Sequence, residues 1–387
     1  MSKGKLVLFG AGKIGRSFIG QLFSRGGYEV VFVDIFKPVI DALNKRGNYN
    51  VIIKSEVETV MNIKNVRGVL VDDEENVVSE IATADIIGIS IGQYGLPTIM
   101  PLLAKGLMKR YAENPTLALD IIIAENLRNA AEYFEDELLP LLPTDYPFKT
   151  LVGLVETSIG KMVPIMLKKD MDDDILQVFG EPYNQLILDK KAFKNPIPII
   201  EGLAPKENMK AWVDRKLFIH NLGHATTAYL GYLHNPKFVY LYEALAVPHI
   251  ALKVRETMLQ AAAILEKKYP DEFTHKALVE HIDDLIARFQ NKALGDTIFR
   301  VGCDLMRKLS ADDRLVGAIN LATEFQLPSD KIMNALIAGS KFRATDENGN
   351  MHPSDIEFVE IYNKGIVEAL TKVCGFENTE KLILMKA

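Results

Sequence analysis

Hydrophobic residues in the first half of the chain form short, nearly continuous runs separated by segments with helical spacing. The clearest runs are KLVLF, EVVFVD, ADIIGISIG and LALDIIIAEN. Continuous β-branched runs indicate strands buried on both faces, and alternation with helices is typical of an α/β domain built on a mostly parallel sheet. We expect YNVIIKS, VRGVLVD, LVGLVETSI and DILQVFGE to add strands to the same sheet.

The pattern changes after a connector rich in proline at residues 194–205. From Asn208 onward, apolar residues recur at three- and four-residue spacing, which indicates helices. We therefore predict a Rossmann-type, doubly wound α/β domain at residues 1–195 and a mostly α-helical domain at residues 196–387. Within the second domain, the polar segment 343–355 reads as a turn-rich loop.

Composition narrows the class of protein. The 387 residues are 48% hydrophobic and 25% charged, with a formal net charge of -6, which is typical of a soluble globular protein and gives no electrostatic case for binding nucleic acid or an anionic membrane. The N-terminus has no signal-peptide pattern, and no apolar stretch is long enough to span a bilayer. Two cysteines, Cys303 and Cys374, suggest thiols in a reducing compartment. We expect a cytoplasmic protein.

A glycine-rich turn follows the first predicted strand. The sequence FGAGKIG has the G-x-G-x-x-G spacing between a strand and a helix, which suits a tight turn, a close approach to a pyrophosphate and close helix packing. An ordinary turn without a ligand is the alternative. The residues that we predict to contact a dinucleotide in this turn are Gly10, Ala11, Gly12, Lys13, Ile14 and Gly15.

An acidic residue supports the dinucleotide interpretation and selects the cofactor. Asp34 closes EVVFVD, 24 residues after Gly10, where a carboxylate would bind the adenosine ribose. Its charge would repel the 2′-phosphate of NADP, and the nearest following cation is Lys37. The sequence therefore predicts NAD. Methyltransferases that use S-adenosylmethionine carry similar turns, so these residues alone leave the reaction open.

The segment KLFIHNLGH places four polar residues in an apolar stretch. At about 100° per residue, Lys216, His220, Asn221 and His224 form one stripe of an α-helix. Three interpretations compete: a solvated helix face, a metal site built on the two histidines, or a catalytic lysine. The metal interpretation lacks an evident third ligand. In the catalytic interpretation, burial lowers the pKa of Lys216 so that it acts as a base, Asn221 stabilises an alkoxide and His224 orients the substrate.

The spacing of Lys216, Asn221 and His224 resembles the signature of the polyol-specific long-chain dehydrogenases. Much of the chain is similar to one branch of that family, the mannitol-1-phosphate 5-dehydrogenases, in stretches spread from the first residues to beyond residue 320. These stretches are FGAGKIGRSFIG, DALNKRGNYNV, IIIAENLRNA, VGLVETSIGKMVP, DRKLFIHNLGHATTAYLG, RVGCDLMRKLSADDRLVGAI and EFQLP.

The resemblance implies a reversible, metal-independent hydride transfer between NAD and a small polyol in a protein that works as a monomer. It implies that Lys216 is the base, that Asn221 and Asn126 hold the developing oxyanion, and that His224 helps to place the substrate. Asn126 follows a predicted strand at the carboxyl edge of the sheet, where ligands of open α/β folds bind. An asparagine that caps the next helix is the alternative.

A phosphorylated substrate requires cations. The segment MRKLSADDRL offers Arg307, Lys308 and Arg314, and it places Ser310 and Asp313 at capping-box spacing for a helix start. The three cations are candidate phosphate ligands through the resemblance, and by themselves they would be solvated charges at a helix entry.

One departure from the family concerns the substrate. Where the family has an Asp–Arg pair, this chain has Gly160 and Lys161, which removes a carboxylate and the bidentate fork of arginine. The expected reaction is mannitol 1-phosphate plus NAD⁺ to fructose 6-phosphate plus NADH. The alternatives are an unphosphorylated polyol or a hexuronate as substrate, or an NAD-binding sensor without turnover.

Overall fold

The computed structural model describes residues 3–166 and 168–376. By its internal contacts the chain divides into two compact units, Met1–Trp212 and Val213–Ala387.

The first unit contains two sheets. Its strands are β1 (Lys5–Phe9), β2 (Glu29–Asp34), β3 (Asn48–Ile53), β4 (Thr59–Lys64), β5 (Val66–Leu70), β6 (Ile86–Ile89), β7 (Leu119–Ile123), β8 (Val152–Ile159), β9 (Val178–Gly180), β10 (Leu186–Asp189) and β11 (Leu203–Lys206). Within the described residues, the larger sheet has the order β11-β10-β8-β7-β6-β1-β2-β5, and β4-β3-β9 form the smaller one.

The larger sheet has the doubly wound arrangement that the sequence predicted. Strands β5, β2, β1, β6, β7 and β8 are parallel. Chain order reverses between β1 and β6, and in open α/β sheets ligands bind at the carboxyl ends of the strands at this switch point. The structure therefore places the glycine turn after β1 at the edge where such sheets bind their ligands.

Helices cover both faces of this sheet. The α-helices described in this unit are α1 (Gln21–Arg25), α2 (Lys37–Arg46), α3 (Glu74–Ala82), α4 (Leu96–Glu113), α5 (Ala130–Leu138), α6 (Phe148–Leu151) and α7 (Lys168–Asp173), and α8 (Met209–Arg215) spans the end of the unit. Leu6 and Leu8 of β1 belong to one buried cluster, whereas Val7 and Phe9 belong to another. Since adjacent side chains of a strand point to opposite faces, both faces carry a core, and this explains the continuous apolar runs.

Several expectations about the strands of this unit were wrong or incomplete. The segment DILQVFGE was expected to extend the main sheet, but its strand β9 pairs with β3 in the smaller sheet. The segment YNVIIKS forms β3, so it does not join the main sheet either, contrary to our expectation. The sequence did not indicate β10, which pairs antiparallel with β8, or β11, which is only four residues long. Because β11 lies beyond residue 195, the first compact unit extends past the boundary that we drew at the connector.

A buried carboxylate anchors the connector. Asp120 of β7 is 1% exposed and accepts hydrogen bonds from the backbone N–H groups of Lys194 (2.7 Å) and Asn195 (3.1 Å). The amide Nδ2 of Asn195 donates to the same carboxylate at 2.9 Å. Burial raises the pKa of Asp120, and these three donors act in the opposite direction.

The second unit is mostly helical, as predicted. Its helices are α9 (Leu222–His234), α10 (Leu241–Leu245), α11 (Pro248–Lys268), α12 (His275–Phe289), α13 (Ile298–Gly302), α14 (Leu305–Lys308), α15 (Val316–Glu324), α16 (Asp330–Ser340), α17 (Pro353–Tyr362) and α18 (Ile366–Lys372). Helix α9 packs against α10, α11, α13 and α16. Small residues permit this central position: a Cβ added at Gly223 would lie 2.5 Å from the sulfur of Met258. No helix in the described part of the chain is long and apolar enough to cross a membrane.

Candidate active site

The turn after β1 leaves space for a ligand at one glycine and none at the other two. Gly10 has φ +101, and a Cβ there would lie 2.1 Å from the carbonyl oxygen of Ser90. A Cβ at Gly15 would lie 2.0 Å from the carbonyl oxygen of Gly10. Around Gly12, which is exposed, a Cβ would meet nothing within 4 Å. The turn therefore presents bare backbone to open space, and this is what a pyrophosphate requires.

A buried arginine, which the sequence analysis missed, holds this turn in place. Arg16 is 8% exposed; its Nε donates to the carbonyl oxygen of Ala11 (2.7 Å) and its Nη1 to that of Ile175 (3.0 Å). Burial lowers the pKa of Arg16. The residue stands in a π-helical turn, Gly15–Gly20, which precedes α1. Its sequence signal is a cation near the start of a predicted helix that contains other polar residues as well. Lys13 is exposed at the helix start, and Ile14 is half-buried.

The carboxylate of Asp34 is fixed beside the glycine turn. One oxygen accepts from the backbone N–H of Ala11 at 2.7 Å, and the other accepts from Phe36 N at 2.8 Å. A carboxylate has further lone pairs, so it retains capacity for ribose hydroxyls. The ammonium of Lys37 lies 2.9 Å from Asp41, which leaves the negative charge of Asp34 to act on a 2′-phosphate. These residues fit NAD.

Asn126 lies in the first unit, exposed in the loop after β7. The preceding residue anchors the loop: the carboxylate of Glu125 accepts from the backbone N–H groups of Ile91 (2.7 Å) and Gly92 (2.8 Å) after β6. Burial raises the pKa of Glu125, whereas these two hydrogen bonds lower it. Asn126 is therefore at the carboxyl edge of the sheet, and its loop is bound to the neighbouring loop.

The helix-cap alternative for Asn126 is wrong. Helix α5 begins at Ala130 with Asn129 at the N-cap position, in the left-handed region at φ 51. One backbone N–H of the first turn, that of Ala131, donates to the carboxylate of Glu156 at 3.0 Å. Asn126 is three residues too early in the chain to occupy the cap.

In the second unit, the segment with four polar residues is not a regular α-helix. Lys216–Asn221 forms a π-helical turn between α8 and α9. Hydrogen bonds in such a turn join residues five apart, so the π-helical turn brings Asn221 closer to the helix face of Lys216 than would the regular α-helix assumed for the predicted stripe. His220 is 6% exposed. His220 is therefore withdrawn from solvent, whereas Lys216, Asn221 and His224 are half-buried, so the stripe is not a fully solvated helix face.

The pKa of Lys216 is lowered by its surroundings. Burial and, second, the positive charge of Arg314 lower the pKa of Lys216 from its ordinary 10.5 to about 8. The guanidinium of Arg314 is 8% exposed; its Nη1 donates to the carbonyl oxygen of Asn221 at 3.3 Å, and its Nε donates to Asp313 at 2.7 Å. Arg314 therefore contacts the end of the π-helical turn and shifts the ionisation of the lysine at its start.

His224 has a carboxylate partner that the sequence gave no reason to select. Its Nε2 lies 2.8 Å from Oδ2 of Asp296, which also forms an ion pair with Arg300. The imidazole stacks on Phe289 with ring centroids 4.7 Å apart. Burial, reinforced by the charge of Arg300 and other cations, lowers the pKa of His224 well below 6.5, so the ring is neutral at physiological pH.

His220 packs as a neutral core residue. Burial and the neighbouring His224 lower its pKa well below the ordinary value, and its ring lies 5.6 Å from that of Phe289. Among the described residues there is no group of three or more His, Cys, Asp or Glu side chains that could hold a metal ion.

Several cations surround His224. Those whose charge depresses its pKa are Arg300, Arg314, Lys308 and Arg288. Lys308 is 7% exposed, its Nζ donates to the carbonyl oxygen of Val301 at 2.8 Å, and burial followed by the charge of Arg314 lowers its pKa to about 8. Three of these four cations are paired with carboxylates of the same unit: Arg288 with Asp284, Arg300 with Asp296 and Arg314 with Asp313.

The remaining predicted cation is more exposed. The guanidinium of Arg307 is 54% exposed, with Nε 2.5 Å from Asp304 and Nη1 3.4 Å from Asp313. The capping box predicted for Ser310 and Asp313 is not formed, because α15 begins only at Val316 and has no side-chain cap. Asp313 accepts from Arg314 and Arg307 instead.

Lys161 lies in the first unit, and its buried ammonium donates hydrogen bonds to other residues of that unit. It is 6% exposed, and its Nζ donates to the carbonyl oxygens of Glu181 (3.1 Å) and Tyr183 (2.8 Å) and to Oδ1 of Asn184 (3.1 Å). A Cβ at Gly160 would lie 3.5 Å from the hydroxyl oxygen of Tyr183. The cation is thus engaged by three oxygen atoms of its own unit.

Bare glycine backbone beside a fixed carboxylate suits NAD, and the two family matches that follow make the chain an NAD-dependent oxidoreductase that acts on a CH–OH group. Residues 4–202 match the mannitol dehydrogenase Rossmann domain, and residues 208–374 match the mannitol dehydrogenase C-terminal domain. The chain therefore belongs to the mannitol dehydrogenase family.

Two solved structures share the fold across nearly the whole chain. A substrate-free D-sorbitol dehydrogenase superposes with a TM-score of 0.83 at 17% sequence identity, over 100% of this chain and 92% of the other. A Pseudomonas fluorescens mannitol 2-dehydrogenase, in a ternary complex with NAD and D-mannitol, superposes with a TM-score of 0.70 at 17% identity, over 96% of this chain and 87% of the other. At this identity the likeness establishes the fold.

Proposed function

We propose that this enzyme oxidises a polyol phosphate reversibly, with mannitol 1-phosphate plus NAD⁺ giving fructose 6-phosphate, NADH and a proton. The observation that carries the proposal is the positive charge around His224: Arg288, Arg300, Lys308 and Arg314 all lie near enough to depress its pKa. An uncharged polyol gains nothing from such a field, whereas a phosphate dianion is stabilised by it.

Lys216 acts as the general base. When bound, NAD⁺ supplies the acceptor for the hydride that leaves the carbinol carbon. The neutral amine of Lys216 removes the proton of the reacting hydroxyl, and in the reverse direction its ammonium returns that proton to the carbonyl oxygen. A pKa of about 8 suits both directions, because the amine and the ammonium are both populated near neutral pH.

Two asparagines and a histidine assist Lys216. Asn221 stands five residues after Lys216 in the π-helical turn and donates from its amide to the oxygen that gains negative charge. Asn126 donates to the same oxygen, a role that we assign through the family resemblance. His224, which is neutral, binds a further substrate hydroxyl.

The phosphate is bound by side chains that solvent can still reach. Arg307 and Arg300 are 54% and 52% exposed, so either guanidinium can offer two N–H donors to phosphate oxygens. Lys308 and Arg314 are buried and already donate within the protein, so they contribute their charge to the site.

The direct test is NADH oxidation at neutral pH with fructose 6-phosphate, fructose, tagaturonate and fructuronate. Turnover of fructose 6-phosphate alone supports the proposal. Turnover of fructose or of a hexuronate would retain the dehydrogenase class and refute the phosphorylated substrate. No NADH oxidation with any of the four compounds, together with intact NADH binding, would instead favour an NAD-binding sensor.

A matched pair of variants tests the phosphate contact. Arg307→Gln should raise KM for fructose 6-phosphate by at least about 10-fold, because it removes a charge-assisted hydrogen bond. Arg255→Gln removes another exposed arginine, which is paired with Asp283, and should leave that KM unchanged. An equal effect of both variants would contradict a specific role of Arg307.

We also propose a cytoplasmic monomer that needs no bound metal. The acidic composition, the two cysteines and the family resemblance support this. Light scattering after gel filtration tests the mass of the particle, and turnover after extended dialysis against a chelator tests the metal; a dimer, or loss of turnover on chelation, would contradict the corresponding part.

A further inference from the structure

Asp296 is a buried carboxylate of the second unit for which neither the sequence motif nor the family match assigns a role. Its side chain is 5% exposed and follows the 3-10 turn Lys292–Leu294. One oxygen lies 2.8 Å from Nε2 of His224, and the other pairs with the guanidinium of Arg300. A buried carboxylate remains charged only when it is well partnered, and the guanidinium of Arg300 supplies such a partner.

The position of this carboxylate does not depend on His224. The carbonyl oxygen of Asp296 accepts from Leu241 N at 3.0 Å, and Ile298 N donates to the carbonyl oxygen of Val239 at 2.8 Å. These two backbone hydrogen bonds fasten the segment around Asp296 to the start of α10. Asp296 therefore meets the imidazole from a fixed point 72 residues away in sequence.

The imidazole of His224 is restrained from other directions as well. It stacks on Phe289 with the ring planes 16° apart, and its edge contacts the ring of His220 at a centroid distance of 6.0 Å. The stacking fixes the plane of the ring. Within that plane, the contact with Asp296 directs Nε2 toward the carboxylate and Nδ1 away from it.

The contact also determines which nitrogen carries the proton. Burial and the surrounding cations keep His224 neutral, so the ring has one N–H. An ionised carboxylate can only accept a hydrogen bond, so the nitrogen facing Asp296 must be the donor. Nε2 therefore carries the hydrogen, and Nδ1 is left with a lone pair.

We propose that Asp296 is a positioning residue, which holds His224 as the Nε2–H tautomer so that Nδ1 accepts a hydrogen bond from a hydroxyl of the substrate. This inference rests on the proposed function for its kinetic part, because it assumes that His224 contacts a polyol. In this tautomer, Nδ1 of His224 can only accept a hydrogen bond. A ligand that presents a hydroxyl to Nδ1 is therefore favoured over one that presents a carbonyl or a carboxylate there.

The variant Asp296→Asn tests the tautomer with almost no change in shape. Arg300 can only donate, so it binds the amide oxygen of the new side chain and turns the amide NH₂ toward His224. Nε2 must then accept, and the proton moves to Nδ1. In protein labelled with ¹⁵N-histidine, the wild type should show the Nε2–H tautomer at His224, and Asp296→Asn should show the Nδ1–H tautomer; His224→Gln assigns the signal.

The same variants have a kinetic consequence. Asp296→Asn should lower kcat/KM for fructose 6-phosphate by about 10- to 100-fold, because a donor replaces the acceptor beside a substrate hydroxyl. Asp296→Glu keeps an anionic acceptor and should recover most of the loss. Asp283→Asn, which neutralises an exposed aspartate paired with Arg255, should leave kcat/KM unchanged.

The two measurements separate failure of this inference from failure of the proposed function. An Nδ1–H or doubly protonated His224 in the wild type overturns the inference whatever the substrate is. A switched tautomer with unchanged kinetics in an active enzyme overturns the positioning role. If the wild type has no turnover with any polyol phosphate, the proposed function fails while the tautomer remains measurable. If Asp296→Asn does not fold, the wild-type spectrum and Asp296→Glu decide.

Discussion

The ionisation of Lys216 should be visible in the pH dependence of both reaction directions. The amine must be neutral to accept a proton during oxidation and charged to donate one during reduction. Lowering its pKa from 10.5 to about 8 favours the neutral form by about 3 kcal/mol. At pH 8 about half of the enzyme then holds a neutral Lys216, whereas an ordinary lysine would be about 0.3% neutral at that pH.

The assay is kcat/KM for the polyol phosphate and for the ketose phosphate between pH 6 and 10, at saturating cofactor. Oxidation should rise with pH and level off above about 8, and reduction should fall over the same interval. Arg314→Gln removes the second cause of the lowered pKa and should move both curves to higher pH, whereas Arg255→Gln should move neither. Flat profiles in both directions, or an oxidation curve still rising in proportion to hydroxide at pH 10, would refute the assignment of Lys216 as the base.

Three further predictions concern single residues. Lys216→Met should lower turnover by about 10²–10⁴-fold while the Kd for NADH stays constant, and a comparable loss in both would contradict its role. The pKa of this lysine is lower in the folded than in the unfolded protein, so its charge destabilises the fold fully below about pH 8. The same variant should therefore raise the free energy of unfolding by up to about 3 kcal/mol at pH 7. This gain should disappear as the pH approaches 10.5. Gly12→Ala should weaken NAD binding without loss of stability, since the added Cβ meets no protein atom within 4 Å. Gly15→Ala should lower the unfolding temperature, because its Cβ would collide with the carbonyl oxygen of Gly10. Equal melting curves for the two variants would contradict this reasoning. Asp34→Ala should narrow the preference for NAD over NADP in kcat/KM, with Asp41→Ala as control, and an unchanged ratio would remove Asp34 from cofactor selection.

Much of the first unit could be predicted because its signals are local. Strands β1 and β2 are continuous apolar runs, and the glycine turn lies between the first strand and its helix. The smaller sheet escaped prediction because β9 contributes only three residues and pairs with a strand more than 120 positions earlier. Strands β10 and β11 lie beside a connector whose prolines suggested irregular structure.

The candidate site residues of the motif were selected from the sequence, but their structural environment could not be predicted. Residue spacing selected Lys216, Asn221 and His224, whereas the π-helical turn that contains the first two has no periodic signature in the sequence. Asp296 could not be found either, because its link to His224 spans 72 residues and a single aspartate between two helices is common. The capping box at Ser310 failed for the opposite reason: the local pattern was present, but Asp313 pairs with the arginines around it.

The anchoring of the connector by Asp120 affects how the first unit can form during translation. Asp120 is made early, but its donors on Lys194 and Asn195 and the strand that covers the edge of β8 are made some seventy residues later. Until β10 and β11 have left the ribosome, the nascent chain exposes an unpaired strand edge and a carboxylate with no partners. The first unit is thus complete only when its edge strands β10 and β11 have been made. An expressed fragment that stops at residue 195 would resemble this aggregation-prone intermediate. A fragment that reaches residue 212 would contain every described strand of both sheets.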